Sequence, residues 1–102
     1  MRIDVIGKHL DVSEAIKTFA EQKAGKLTKY LDLIQQIIVR VEADPHKKGF
    51  HCEVVADVEK HEDFVGHAHH EDLYAAIDEA VAKVGRQLTD FKEKLKMGKR
   101  GA

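Results

Sequence analysis

The sequence predicts an α+β fold, a two-layer sandwich in which a four-stranded sheet carries two helices on one face. Four short segments alternate apolar and polar residues, the pattern of strands with one wet face. Two longer segments repeat apolar residues every three or four positions, which is typical of amphipathic helices. Their order along the 102-residue chain is β-α-β-β-β-α, and this length fits one domain with one core.

The first strand and the first helix occupy the N-terminal third. Ile3 and Val5 alternate with polar neighbours, and Gly7 ends the strand. Ser13 stands at an N-cap position, where its hydroxyl can accept from an amide of the first turn. Residues 14–31 are predicted to be helical, because one stripe carries the apolar side chains of Ile16, Phe19, Ala20, Leu27, Tyr30 and Leu31.

Alternation returns in three further segments, residues 37–44, 51–59 and 64–69. Between the first two, Pro45 cannot continue a ladder and Gly49 permits a positive φ, so a turn is expected there. Within each segment only one face is apolar. Both helices are therefore predicted to cover the same face of the sheet.

A long helix follows, with an apolar stripe of about six turns. The stripe consists of Leu73, Ile77, Ala80, Val81, Val84, Leu88, Phe91 and Leu95. We predict one domain over residues 1–96 and a flexible basic tail over residues 97–102.

Charge is sorted along the chain although the formal net charge is only −1. Residues 83–102 carry seven basic and two acidic groups, whereas residues 41–82 carry eleven acidic and three basic groups. Such sorting favours contact with a polyanion through one face.

Several classes of protein are excluded or disfavoured. A hydrophobic content of 43% argues against disorder, and no apolar run could cross a bilayer. The N-terminus lacks the apolar stretch of a signal peptide, and Cys52 is the only cysteine, so we expect a cytoplasmic protein. No Gly-rich phosphate loop or nucleophile motif is present. We therefore predict neither an enzyme nor a cofactor.

Basic residues follow the outer flanks of both helices. Lys83, Arg86, Gln87, Asp90 and Lys94 share a flank of the second helix, and Lys17, Lys23, Lys26 and Lys29 recur on the first. If the helices lie side by side, these rows form one basic surface roughly 20 Å long, at ~1.5 Å per residue. Such a surface neutralises several phosphates. The alternative is an ordinary solvated helix face.

The aromatic residues indicate how a nucleic acid would be read. Tyr30 and Tyr74 fall near the helix core faces and tryptophan is absent, so no exposed stacking pair is expected. Binding would then depend on backbone and shape more than on sequence.

Seven histidines raise the alternative of a metal-dependent or protein-binding regulatory module on the acidic sheet face. His67 and His69 share one strand face, and His61 or Cys52 could come near. However, no zinc-type spacing is present and Cys52 is predicted to point into the core. We therefore predict no metal site, and assign the histidines to the surface and to helix capping near residues 69–72.

Two motifs resemble the ribosome hibernation promoting factor family, which includes the inhibitor called protein Y. The last helix reads His70-Glu71-Asp72-Leu73-Tyr74-Ala75-Ala76-Ile77-Asp78 and then Lys83-Val84-Gly85-Arg86-Gln87-Leu88. The N-terminal half matches at Ile3-x-Val5-x-Gly7, Ser13, Ala15-Ile16 and Lys23-x-x-Lys26-Leu27-x-Lys29-Tyr30. The resemblance covers residues 2–96.

The resemblance implies a domain that binds the small ribosomal subunit and its 16S-type RNA in the channel of mRNA and tRNA. It implies inhibition of translation and protection of idle ribosomes, alone or as dimers, in stationary phase or stress. Carried over by position, the RNA-binding residues are Lys23, Lys26, Lys29, Lys83, Arg86 and Lys94.

This chain departs from the family pattern at two positions in the last helix. Asp90 stands where relatives commonly have lysine, and Gly85 replaces a larger residue. From its length we also expect neither the second domain of long members nor the acidic tail of the protein Y type. It thus resembles the short type, for which the resemblance implies a separate ribosome modulation factor as a further partner.

Overall fold

The structure is a computed structural model that describes the backbone of residues 1–101 and the side chains of residues 1–97. Residues 1–101 contain four strands, two α-helices and one 3-10 segment. In chain order these are β1 (Arg2–Lys8), α1 (Glu14–Gly25), the 3-10 segment (Lys26–Lys29), β2 (Ile34–Ala43), β3 (Phe50–Val58), β4 (Phe64–His70) and α2 (Leu73–Gly101).

The four strands form one mixed sheet in the order β1-β2-β3-β4. β1 runs parallel to β2, whereas the pairs β2–β3 and β3–β4 are antiparallel. Both helices pack on one face. The predicted β-α-β-β-β-α two-layer sandwich is therefore confirmed.

The core lies between the apolar face of the sheet and the two helices. Across the middle strands Val39 pairs with Val54, and Val41 pairs with Cys52; all four are at most 1% exposed. Because side chains alternate along a strand, this register turns the inward members of each strand toward the same helix layer. Cys52 is buried, as its position in the alternation predicts.

Helix α1 is shorter than the sequence predicts. Ser13 caps it as expected, with Oγ accepting from the amide of Ile16 at 3.2 Å. The helix ends at Gly25, not at residue 31, and a 3-10 segment follows. Glycine is a poor helix former, and Thr28 Oγ1 donates to the Gly25 carbonyl at 2.8 Å, which satisfies an acceptor freed at the helix end.

Helix α2 begins behind a polar cap. Asp72 Oδ1 accepts from the amide of Tyr74 at 3.0 Å, and His70 Nδ1 accepts from the amide of Asp72 at 2.9 Å. The expected capping role of a histidine near residues 69–72 is thus present. These bonds satisfy amides that a helix start leaves without partners.

Close contact between α2 and the edge strand β4 depends on Gly66. A Cβ atom at Gly66 would lie 2.6 Å from the carbonyl oxygen of Ala80 and 3.0 Å from Val84 Cγ2. Only a residue without a side chain allows the helix to pack this tightly against the strand.

No helix among residues 1–101 is long and apolar enough to span a membrane. Helix α2 extends to Gly101, and the side chains of residues 98–101, like residue 102, lie outside the described part of the chain. The predicted flexible basic tail of residues 97–102 stays a prediction.

Candidate nucleic-acid interface

A groove runs between α2 and the first helical region, which comprises α1 and the 3-10 segment. Its basic side chains are Lys23 and Lys26 from the first helical region and Arg86 from α2. The remaining lining residues are Leu27, Tyr30, Asp78, Val81, Ala82, Gly85 and Thr89. We call this hollow the inter-helix groove. It combines an apolar floor with a basic rim, which suits a phosphate backbone with its sugars.

Gly85 forms part of the floor of the inter-helix groove and is buried. A Cβ atom there would lie 3.5 Å from Leu27 Cδ2 and 3.6 Å from Tyr30 Cε2, which are ordinary van der Waals distances. The groove therefore leaves room for a methyl group at this position, and the glycine keeps the floor deeper than packing of the two helices requires.

Within the inter-helix groove, one of the three basic residues is already paired. Lys23 Nζ lies 3.2 Å from Asp78 Oδ1 and 5.5 Å from the centre of the Phe19 ring. Lys26 and Arg86 are exposed and form no ion pair with any side chain that the structure describes. These two cations therefore remain available to an anionic ligand.

A second hollow adjoins the 3-10 segment and brings Lys29 together with Lys92. Tyr30 lines this hollow as well as the inter-helix groove, so the two are neighbours. Lys92 was not among the sequence-predicted residues. Its spacing could have identified it, because Lys92 lies seven residues, or about two helical turns, after Gly85 and therefore on the same side of α2.

The prediction that Tyr30 and Tyr74 fall near the core faces is wrong. Tyr30 is 41% exposed and Tyr74 is 40% exposed. Tyr30 lies beyond the end of α1, at the C-cap of the 3-10 segment, where it lines the inter-helix groove. Tyr74, in the first turn of α2, packs edge-on against Phe19, and the two ring centres are 4.9 Å apart. The exposed ring of Tyr30 therefore lies beside the inter-helix groove.

Lys83 and Lys94 lie on the opposite flank of α2. Lys83 Nζ donates to the backbone carbonyl of His67, and Gln87 Nε2 donates to that of Val65 at 2.8 Å. Both acceptors belong to β4, whose outer edge pairs with no strand in the part of the chain that the structure describes. Lys83 and Gln87 therefore cover carbonyls of an edge strand. Lys94 lines a hollow further along the same flank, together with Asp90 and His61.

The predicted single basic surface is thus divided by the body of α2. The inter-helix groove and the hollow beside it hold Lys23, Lys26, Lys29 and Arg86, and the β4 flank holds Lys83 and Lys94. This division follows from where α1 and β4 sit on either side of α2, which the helical period alone does not specify.

The outer face of the sheet, away from the helices, has a different character. Arg40 Nη1 donates to Glu53 Oε1 at 2.7 Å, and His67 Nε2 lies 3.6 Å from Glu53 Oε2. Charges of both signs are paired across adjacent strands here. This part of the outer face is therefore less suited to an anionic ligand than the inter-helix groove.

The fold and the inter-helix groove define a small two-layer α+β domain with a basic, partly apolar groove in its helix layer. Comparison with known proteins identifies the family. The profile described as "Sigma 54 modulation protein / S30EA ribosomal protein" matches residues 3–96. The chain belongs to this family.

Named relatives and solved structures agree with this assignment. The ribosome hibernation promoting factor of Azotobacter vinelandii is 35% identical, over 92% of this chain and 85% of that protein. The protein of the same name from Escherichia coli K12 is 35% identical, over 94% of this chain and 98% of that protein. The N-terminal domain of Thermus thermophilus Protein Y superimposes with a TM-score of 0.79 at 29% identity, over 89% of this chain and 99% of that domain.

A ribosomal subunit interface protein from Coxiella burnetii shares the fold, with a TM-score of 0.81 at 22% identity over 91% of this chain and 99% of that protein. The resemblance drawn from the sequence is therefore confirmed. Ribosome hibernation factors are not enzymes, in agreement with the prediction from the sequence. Membership of the family supports a ribosome-associated role in hibernation.

Proposed function

We propose that this chain is a ribosome hibernation factor whose helix layer binds the small ribosomal subunit in the channel of mRNA and tRNA. Bound there, it blocks translation and promotes or stabilises inactive, dimeric ribosomes in stationary phase or stress. The names of its relatives support the ribosomal target. The proposal places the chain in the cytoplasm, where ribosomes are found.

The inter-helix groove is the observation that carries this proposal. Lys26 and Arg86 project from two different helical elements onto the rim of one hollow, and neither is paired with a described carboxylate. A guanidinium group can bind a phosphate through two parallel hydrogen bonds, and an ammonium group adds a point charge. The groove therefore suits a sugar-phosphate backbone better than a small uncharged ligand.

We rank the proposed RNA contacts by the positions of their side chains. Four cations surround Tyr30 on one side of the helix layer, and we assign the primary contact to them. They are Lys26, Lys29, Arg86 and Lys92, of which Lys92 is an addition to the residues predicted from the sequence. Lys83 holds a β4 carbonyl. We expect its replacement to act partly through the packing of α2 on the sheet.

Asp90, the departure from the family pattern, lies away from the inter-helix groove. It lines the hollow on the β4 flank with Lys94 and Gln87. Its negative charge therefore opposes an RNA contact by Lys94 more than one by Arg86, and we assign Lys94 a secondary role.

Sedimentation with ribosomes tests the proposal. The purified chain would be run with ribosomes through sucrose gradients at low and raised salt, as wild type, Arg86→Glu, Lys26→Glu/Arg86→Glu and Lys48→Glu. Lys48 is exposed in the β2–β3 loop, so its reversal matches, outside the helix layer, the change of net charge in Arg86→Glu.

We expect wild type and Lys48→Glu to co-migrate with small subunits and whole ribosomes at low salt, and raised salt to release both. The groove variants should remain at the top of the gradient. Full co-migration of the folded double variant would contradict binding through the groove. Adding a ribosome modulation factor in parallel gradients tests whether the chain promotes dimers or only inactivates single ribosomes.

A further inference from the structure

We propose that Asp44, His51 and His69 form a binding site for a divalent transition-metal ion of the zinc type. The three residues lie at one end of the outer sheet face, opposite the helix layer, and the ribosome-binding proposal does not use them. One imidazole nitrogen from each histidine and one carboxylate oxygen all lie within 4.8 Å of one another.

The strand register brings the two histidines together. His51 on β3 is the direct cross-strand partner of His69 on β4, and their rings meet edge to face at 4.8 Å. Asp44 follows the end of β2, which pairs with β3. Two neighbouring strands and the residue that follows a third thus each contribute one donor, and the strands are held by the ladder hydrogen bonds of the sheet.

The carboxylate is held in place before any ion binds. Asp44 Oδ1 accepts from the backbone amides of His46 at 2.8 Å and Lys47 at 3.0 Å. These bonds direct Oδ2 toward His51 Nε2, at 3.6 Å, and His69 Nε2, at 3.1 Å. The Asp44 side chain is only 8% exposed, whereas both imidazoles reach solvent. Second-shell bonds of this kind orient the ligands of metal sites.

Two of the three separations between ligand atoms fit tetrahedral coordination. Zinc bonds to nitrogen and oxygen of about 2.0–2.1 Å place two ligand atoms about 3.3 Å apart at the tetrahedral angle. The separations of 3.1 and 3.6 Å bracket this value. Two imidazoles and one carboxylate are a donor set that zinc accepts. The exposed side of the cluster leaves the fourth position to water or to a ligand from a partner.

These three ligands differ from the residues that the sequence analysis considered together, which were His67 and His69 with His61 or Cys52. Cys52 is buried on the other face of β3. His61 stacks on Phe64 at 4.7 Å. His67 shares the outer face with His69 but faces Glu53, not Asp44. The inference therefore replaces the prediction of no metal site by a site that only the β3–β4 register reveals.

Metal titration of the full-length, untagged and metal-stripped protein tests the site. Zinc binding would be measured by calorimetry, and cobalt binding by the visible d–d absorption that distinguishes tetrahedral from octahedral coordination. The variants are His51→Asn and His69→Asn. His67→Asn is the matched control, because it removes an imidazole that also neighbours one carboxylate on the same face.

We expect one ion per chain, a tetrahedral cobalt spectrum and at least about tenfold weaker binding in both site variants, with the control unchanged. Absence of stoichiometric binding by wild type would overturn the proposal. So would equal loss in His67→Asn, or retained affinity in folded His51→Asn and His69→Asn. If a variant does not fold, zinc titration of wild type followed by the NMR signals of its imidazoles tests the site instead. Zinc must then shift those of His51 and His69 and leave that of His67.

Discussion

Lys23 Nζ and Asp78 Oδ1 form an ion pair at 3.2 Å between α1 and α2, on the rim of the inter-helix groove. Both side chains keep solvent contact, so the pair contributes about 0–1 kcal/mol to folding. Its greater effect is electrostatic, because Asp78 neutralises one of the three cations that face the groove.

Replacing Asp78 by asparagine should therefore strengthen ribosome binding. Removing one negative charge ~4 Å from a bound phosphate is worth about 1 kcal/mol in water, or about fivefold in affinity. The slope of log binding constant against log salt concentration should become steeper by less than about 0.9. That value corresponds to one additional phosphate neutralised on a duplex. Affinity measured across a salt series, with Asp63→Asn as the control of equal charge change, checks this expectation. Equal behaviour of the two variants would contradict it.

Gly85→Ala should stabilise the fold. Alanine is about 1 kcal/mol more favourable than glycine inside a helix, and the new methyl group meets Leu27 and Tyr30 at ordinary contact distances. Urea denaturation should show a gain of about 0.5–1 kcal/mol in unfolding free energy without a change in m. Gly66→Ala is the contrasting variant, because its Cβ would lie 2.6 Å from a backbone oxygen of α2 and should destabilise. A loss of stability in Gly85→Ala would show that the groove floor has no such room.

Alternation and helical periodicity were sufficient to predict the fold. The inward residues Val39, Val54 and Cys52 are buried as their positions in the strands require. The sequence did not show that α1 stops at Gly25, because glycine is often tolerated inside helices. Tyr30 follows that helix end, and its exposure was not predicted either.

The site was predictable in composition but not in arrangement. Periodicity shows which residues of a helix share a face, but not which neighbour each flank meets. Lys83 therefore proved to contact β4, while Lys92 proved to lie beside the 3-10 segment. Similarly, the pairing of His51 with His69 depends on the register between two strands, which alternation leaves open by steps of two residues.

Cys52 should be unreactive in the folded protein. The thiol is 1% exposed, and burial, with a smaller contribution from the charge of Glu53, raises its pKa to about 12. At pH 8 about one thiol in ten thousand would be ionised, and the thiolate is the reactive form. A disulfide reagent should therefore label the native chain only at the rate of opening, and label the urea-unfolded chain at once. Rapid stoichiometric labelling under native conditions would contradict this burial.

Asp44 should make stability depend on pH in the acid range. The hydrogen bond from the His46 amide is the main cause that lowers the pKa of this carboxyl, and a bond from Lys47 and the nearby His69 and His51 act in the same direction. A lowered pKa in the folded state means that the charged form stabilises the fold above the unfolded pKa. This contribution is lost as pH falls through the folded pKa.

The melting temperature of Asp44→Asn should accordingly lie below that of wild type at pH 6. The difference should shrink as pH falls below the usual pKa of an aspartate and through the lowered pKa of Asp44, where wild type comes to carry a neutral side chain as well. Melting curves across this range, in buffers free of divalent metal, provide the measurement. A constant difference between the two proteins at every pH would show that the carboxylate charge contributes nothing.

Tyr30→Leu should weaken ribosome binding by a mechanism that differs from loss of charge. The ring is 41% exposed between Lys26 and Arg86 on one side and Lys29 and Lys92 on the other, where it can stack on a base or sugar. Stacking of a base on an aromatic ring contributes about 1–3 kcal/mol and involves no counterion release. The variant should therefore lose about fivefold or more in affinity at every salt concentration, with an unchanged salt slope. Arg86→Gln should lower the slope instead. Leucine preserves apolar contact with the groove floor, and a melting curve controls for the fold. Unchanged affinity in folded Tyr30→Leu would restrict the interface to its charges.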